Sequence, residues 1–177
     1  MKLTWFGGTT VRIHIGGAML VLDADGAPGR IDRTELVSGA DQLLSFGALE
    51  GLEAVDPKQW APRKTTALMD DAEGPPVRAC RIGETAIVLD AIGERPLLIV
   101  TGPVERMGRW AGTAVVVTLG APAALPGLVA NVLEQLGPKL IAVAGPEEAM
   151  DRVIAQVKHA LDGTGLVALE PALALEV

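Results

Sequence analysis

The sequence predicts an α+β fold in which two sheets are flanked by helices, and three observations predict it. The first two-thirds of the chain is a run of short apolar segments with strand-like alternation, broken by glycine-rich turns. The last third changes character and reads strand, helix, strand, helix, an order that fits two sheets with helices outside better than a doubly wound sheet. Hydrophobic residues make up 49% of the chain and aromatics only 3%, so the core must be aliphatic, built from Val, Leu, Ile and Ala. With 177 residues and a mean hydropathy of +0.36, the chain has enough apolar material for one domain spanning residues 1–177.

Residues 2–6 read as a strand. Over residues 10–15, Val11, Ile13 and Ile15 face one way and Arg12 and His14 the other, and Gly16 and Gly17 then signal a hairpin returning along 18–22. Residues 24–39 are a Gly-, Asp-, Arg- and Pro-rich connection with room for one helical turn. A buried strand is expected at 42–46, and a loop with a short helix at 47–63. Residues 65–69 suggest a short strand and 70–76 an acidic, proline-ended turn. A second hairpin is expected from 77–82 and 85–90 around Gly83 and Glu84, followed by a strand at 97–101.

The β-branched run 113–119 predicts a buried strand. Leu125, Leu128, Val129, Val132, Leu133 and Leu136 then recur at helical spacing, and Gly137 with Pro138 stops that helix. A strand is expected at 139–144. Pro146 opens a second helix, with Glu147 and Glu148 in its first turn and Lys158 in its last, which suits the helix dipole. Its predicted buried stripe is Met150, Val153, Ile154, Val157 and Leu161, and a last strand is expected at 166–169.

Charge and composition exclude several function classes. Acidic residues outnumber basic ones, 22 to 15, no basic run is concentrated, and aromatics for base stacking are scarce, which argues against a nucleic-acid partner. No apolar stretch approaches the ~20 residues of a membrane span, and the N-terminal segment lacks a signal-peptide pattern. These features predict a cytoplasmic protein without a membrane partner. The single cysteine, Cys80, rules out an internal disulfide and a Cys-based zinc site.

The opening Leu3-Thr4-Trp5-Phe6-Gly7-Gly8, the hairpin around Gly16 and Gly17, and Leu20-Val21-Leu22-Asp23 together resemble the metallo-β-lactamase superfamily. The resemblance is to the branch of ascorbate-6-phosphate lactonase-like hydrolases, which opens with a Trp-Leu-Gly-His type segment, a Gly-Gly hairpin and a strand ending in Ile-Asp-Pro. Asp23 matches that Asp, Gly8 stands where the His would be, and Ala24 where the Pro would be. Ala40-Asp41-Gln42-Leu43-Leu44-Ser45 resembles the segment leading into the family's His-x-His-x-Asp-His motif. In that register Phe46, Ala48 and Gly51 occupy the His positions and Glu50 the Asp position. The segments 111–120 and 136–143 also fit the branch. Ala144-Gly145 stands where a ligand His would follow, and Pro103 follows Gly102 where a Gly-Asp would bridge the metals. The resemblance covers most of the chain outside about residues 60–95. It implies a four-layer αββα sandwich of metallo-β-lactamase type, reduced in size and with a degenerate metal motif.

The family's chemistry rests on metal ions that lower the pKa of a bound water to about 7. Imidazoles and a carboxylate hold those ions, and Phe, Ala and Gly side chains donate nothing. The whole chain has two histidines, His14 and His159, too few in any register for a dinuclear site of this type. The expectation is therefore a catalytically inactive relative without cofactor or metal, having a binding or protein-interaction role. Its partner would be a small molecule or a protein, with homo-oligomerisation left open. The vestigial pocket is expected at Gly8, Asp23, Phe46, Ala48, Glu50, Gly51, Thr101 and Gly145, with no catalytic residue assigned. The alternative is a hydrolase of the superfamily with an altered or residual site using Asp23, Glu50 or Thr101. A carboxylate-only cation site at Asp23, Asp25 and Glu50 competes with a reading of these acids as solvated.

The other reactive side chains have plain readings. His14 falls on the polar side of a strand and His159 near a helix end, where a cation suits the dipole. Cys80 reads as a small core residue. Gly7-Gly8-Thr9-Thr10 reads as a strand-to-strand turn, although its amides could cradle an anion. The loop from Thr101 lacks the ending of a phosphate-binding loop.

Overall fold

The computed structural model describes residues 1–64 and 75–177. The strand expected at 65–69 and most of the acidic turn at 70–76 lie outside the described residues. The chain forms a mixed α/β structure with two sheets and few helices.

The first sheet grows from the predicted hairpins. β1 (Lys2–Gly7) pairs antiparallel with β2 (Thr10–Ile15), which pairs antiparallel with β3 (Ala18–Leu22). Gly16 and Gly17 supply the positive φ values, 56° and 79°, that a tight two-residue hairpin turn demands. β4 (Gln42–Leu44) adds parallel to β3. A short strand near the C-terminus, β12 (Ala174–Glu176), adds antiparallel to β1. The sheet order is β12-β1-β2-β3-β4.

Among the described residues the second sheet has seven strands. It begins with β5 (Glu53–Ala54) and the hairpin of β6 (Val77–Ile82) with β7 (Ala86–Ala91). β8 (Leu97–Val100) follows antiparallel to β7, and β9 (Val115–Thr118), β10 (Leu140–Ala144) and β11 (Gly165–Leu169) extend it in parallel. Helices α2 (Leu125–Leu136) and α3 (Glu147–Val157) connect these last strands.

Side-chain alternation assembles the core in layers. Leu3, Val11, Ile13 and Leu20 of the first sheet meet Ile87, Leu89, Ile99 and Val117 of the second in one buried cluster. The opposite face of the second sheet, through Val88, Leu98, Val116 and Ile141, packs against Leu128, Val129, Val132 and Val153 of the two helices. All six residues of β7 are buried for this reason: both of its faces are covered. Burial of each such aliphatic side chain contributes about 1.5–3 kcal/mol.

A smaller apolar cluster forms around Val21, Ala24 and Leu36, where the five-residue helix α1 (Arg33–Val37) meets the end of β3. Arg12 holds α1 in place, since its Nη2 donates to the carbonyls of Glu35 and Leu36 at 2.8 and 2.7 Å. Asp32 caps the other end, its carboxylate accepting from the Thr34 and Glu35 amides.

Several elements differ from the sequence reading. The strand expected at 42–46 stops at Leu44 and lies at a sheet edge, with Leu43 57% exposed, because Ser45 turns the chain into a 3-10 segment, Phe46–Gly51. A 3-10 segment, Arg109–Thr113, delays the start of β9 to Val115. α3 buries Ala149, Val153 and Val157, while Ile154 is exposed. β5 and β12 carry no alternating signal and exist only through their neighbours.

Candidate functional site

The residue that organises the site is Asp23, at the point where β3 ends. Its backbone is left-handed, φ 46° and ψ 51°, a conformation that Asp tolerates better than most side chains. Its amide donates to the Leu44 carbonyl at 2.8 Å, tying β3 to the end of β4. Its carbonyl accepts from the Thr10 hydroxyl at 2.8 Å and from the Gly26 amide at 3.0 Å. Its carboxylate Oδ1 accepts from the Phe46 amide at 3.0 Å. One residue thereby ties together β2, the 23–26 turn and the 3-10 segment after β4. Ser45 helps at the same corner, its Oγ accepting from the Gly47 amide.

A cavity of about 520 Å³ opens beside this knot, within the size range of small-molecule sites. Its apolar wall is formed by Ala24, Leu43, Leu44, Ala48 and Leu52. The polar groups are Thr9, Asp23, Ser45 and an ion pair at the rim, Arg33 to Asp25 at 2.6 Å, with both side chains exposed. Asp23 Oδ2 takes no hydrogen bond from any described residue and is not sealed from solvent.

The residues expected at a vestigial pocket divide. Asp23, Ala48 and Gly51 line this cavity. Gly8 lies in the adjoining β1–β2 turn, where its carbonyl accepts from Trp5 Nε1 at 3.0 Å. Phe46 packs toward the core between the sheets, and Glu50 is exposed. Thr101 lines a separate apolar cavity of about 400 Å³ at the ends of β8 and β9, and its hydroxyl donates to the Thr85 carbonyl at 3.2 Å. Gly145 is a close-approach position: a Cβ there would sit 2.6 Å from Leu125 Cδ1.

Thr9, Arg33, Leu43 and Leu52 belong to the cavity, and the sequence reading did not place them there. One signal was available. Asp32 two residues before Thr34 is a helix cap, which places Arg33 in a first helical turn; that it meets Asp25 is decided by the fold.

The donor set does not fit the pair of metal ions that the family resemblance implies. Gly8, Phe46, Ala48, Gly51 and Gly145 carry no side-chain donor. His14 is exposed in the middle of the first sheet and His159 lies beyond α3. Among the described residues, no three His, Cys, Asp or Glu side chains converge as a metal-holding group.

Cys80 is fully buried on β6, and desolvation pushes its thiol pKa up, against the opposing pull of Arg78. That is the reverse of what activates a nucleophilic thiolate. No helix among the described residues is long and apolar enough to cross a membrane.

No protein-family model, curated protein or solved structure matches this chain.

Proposed function

We propose that this chain is a metal-free relative of the metallo-β-lactamase hydrolases, with the two facing sheets and their helices forming a reduced αββα sandwich, and that it binds a small molecule instead of hydrolysing one. The observation that carries this reading is a cavity that persists while the positions resembling metal ligands hold Gly, Phe and Ala. Asp23, which resembles the Asp of the family's Ile-Asp-Pro strand end, joins β3, β4 and the 3-10 segment here. A binding role needs only a preformed hollow with a few placed polar groups, which the corner at Asp23 supplies.

Elemental analysis of the chain purified after growth with added zinc, manganese and iron tests the metal-free part. The expected result is metal well below one equivalent per chain. One or two equivalents co-purifying would overturn it.

A further inference from the structure

Several hollows among the described residues compete as ligand sites, and they differ in what they offer. The cavity at Thr101 is apolar, and that residue's hydroxyl already donates to Thr85. The hollow beside Arg106 and Arg109 sits over the C-terminal end of α2, whose exposed carbonyls such arginines commonly neutralise. The groove beside Met1, His14 and Glu94 is open, and Glu94 already faces the Met1 ammonium at 3.6 Å. The cavity at Asp23 presents a charged group with unused capacity in a concave, partly apolar setting.

The charges at that cavity can be counted. Arg33 and Asp25 form an ion pair at 2.6 Å and cancel. Asp23 is partly buried and has no cationic partner among the described residues. Its Oδ1 is engaged by the Phe46 amide, while Oδ2 is open. The Thr9 and Ser45 hydroxyls stand nearby as hydrogen-bonding groups, and Leu43, Leu44 and Leu52 supply apolar wall. The site is thus left with one net negative charge inside a chain that is itself at −7. A carboxylate in such a place favours a cation and repels an anion of the same shape.

We infer that the cavity beside Asp23 takes a small organic cation, an ammonium group on an apolar body, with the ammonium donating to Asp23 Oδ2 and the body lying against Leu43, Leu44 and Leu52. This rests on the proposed binding role and adds the ligand's chemical class. The exposed Leu43, which lies outside the buried clusters, becomes part of the ligand's wall.

The test uses the full, isotope-labelled chain and three probes of one shape: benzylamine, benzyl alcohol and benzoate, cationic, neutral and anionic at neutral pH. Backbone amide shifts of Gly26, Gly47 and Gly51 report occupancy. The expected result is that benzylamine moves these amides with an affinity about tenfold above that of benzyl alcohol, that benzoate is weakest, and that added salt narrows the differences. Asp23→Asn keeps an oxygen for the Phe46 amide and a side chain at home in the left-handed region, and is expected to bring benzylamine and benzyl alcohol to equal affinity. Arg33→Gln frees Asp25 and is expected to tighten benzylamine by about threefold. Benzoate binding best, no probe moving these amides, or a cation preference that survives Asp23→Asn would overturn the inference. The same spectra with manganese ions separate the two readings. Broadening of these amides that Asp23→Asn abolishes would overturn the metal-free function as well, whereas a benzoate preference overturns only the cationic ligand.

Discussion

Asp23 and Asp90 are both aspartates at or near strand ends, and the protein uses them in opposite ways. Asp90 on β7 is 2% exposed and both oxygens of its carboxylate accept hydrogen bonds. Arg63 donates to it through Nε at 2.9 Å and through its backbone amide, while Arg63 Nη2 reaches the Asp90 carbonyl at 2.7 Å. The same guanidinium donates to the carbonyls of Pro75 and Pro76, so the pair clamps the chain on both sides of residues 65–74. Asp23 is equally tied through its backbone, but one carboxylate oxygen is left open beside a cavity. A buried carboxylate with both oxygens engaged holds structure, and one with an oxygen left open at a hollow can hold a ligand.

The largest expected effect comes from Asp90→Ala. It leaves the Arg63 charge partly buried without its partner, and denaturant unfolding should show a loss of about 3–5 kcal/mol. Asp23→Ala should cost less, about 1–3 kcal/mol, since it removes one hydrogen bond to the Phe46 amide and puts Ala in a left-handed conformation. Asp23→Asn should fall within about 0.5 kcal/mol of the parent. If Asp23→Ala proved the costlier of the two alanine variants, the division into structural and ligand-facing carboxylates would be wrong.

Gly137→Ala offers a reference for backbone strain alone. Gly137 caps α2 at φ 51°, and the space a Cβ would enter there is open, so the expected loss is about 1 kcal/mol, read from the same unfolding curves. The surface pair Arg78–Glu53, 2.6 Å apart with both side chains well exposed, should matter least: Glu53→Gln is expected to cost under about 1 kcal/mol.

Cys80 gives a pH-dependent reading of the same second sheet. Burial raises its thiol pKa, so the folded chain holds this proton more tightly than the unfolded chain. Its contribution to stability is therefore complete below the unfolded thiol's pKa, about 8.5, and is lost as pH rises through the raised folded value. Iodoacetamide at pH ~8, just below that unfolded pKa, should leave native Cys80 unmodified and react promptly once denaturant opens β6. Fast native alkylation would show that β6 is not sealed.

Local elements were legible because their signals are local. The stripe from Leu125 to Leu136 and the stop at Gly137 match α2 residue for residue, since helix period and C-cap chemistry act within a few residues. The Gly16–Gly17 hairpin is readable for the same reason. β12 was not, because three residues are too few to carry a periodic signal and become a strand only by pairing with Lys2, Leu3 and Thr4. Ile154 sits on the hydrophobic stripe of α3 by spacing, yet the helix buries Ala149, Val153 and Val157 and leaves it 42% exposed.

The site divides along the same line. The sequence by itself determined that the chain has only two histidines, fewer than a dinuclear site of the resembled type uses, and it marked Asp23 as a pocket candidate through that resemblance. Only the tertiary structure decided which carboxylate keeps an open oxygen. Both carboxylate oxygens of Asp90 are engaged by an arginine 27 residues away, and the cavity beside Asp23 is assembled from segments at residues 9, 23–26, 33, 43–45 and 48–52. Residue type and spacing carry the donors and acceptors a chain has. Whether each is already engaged depends on which distant segments the packed core brings to it.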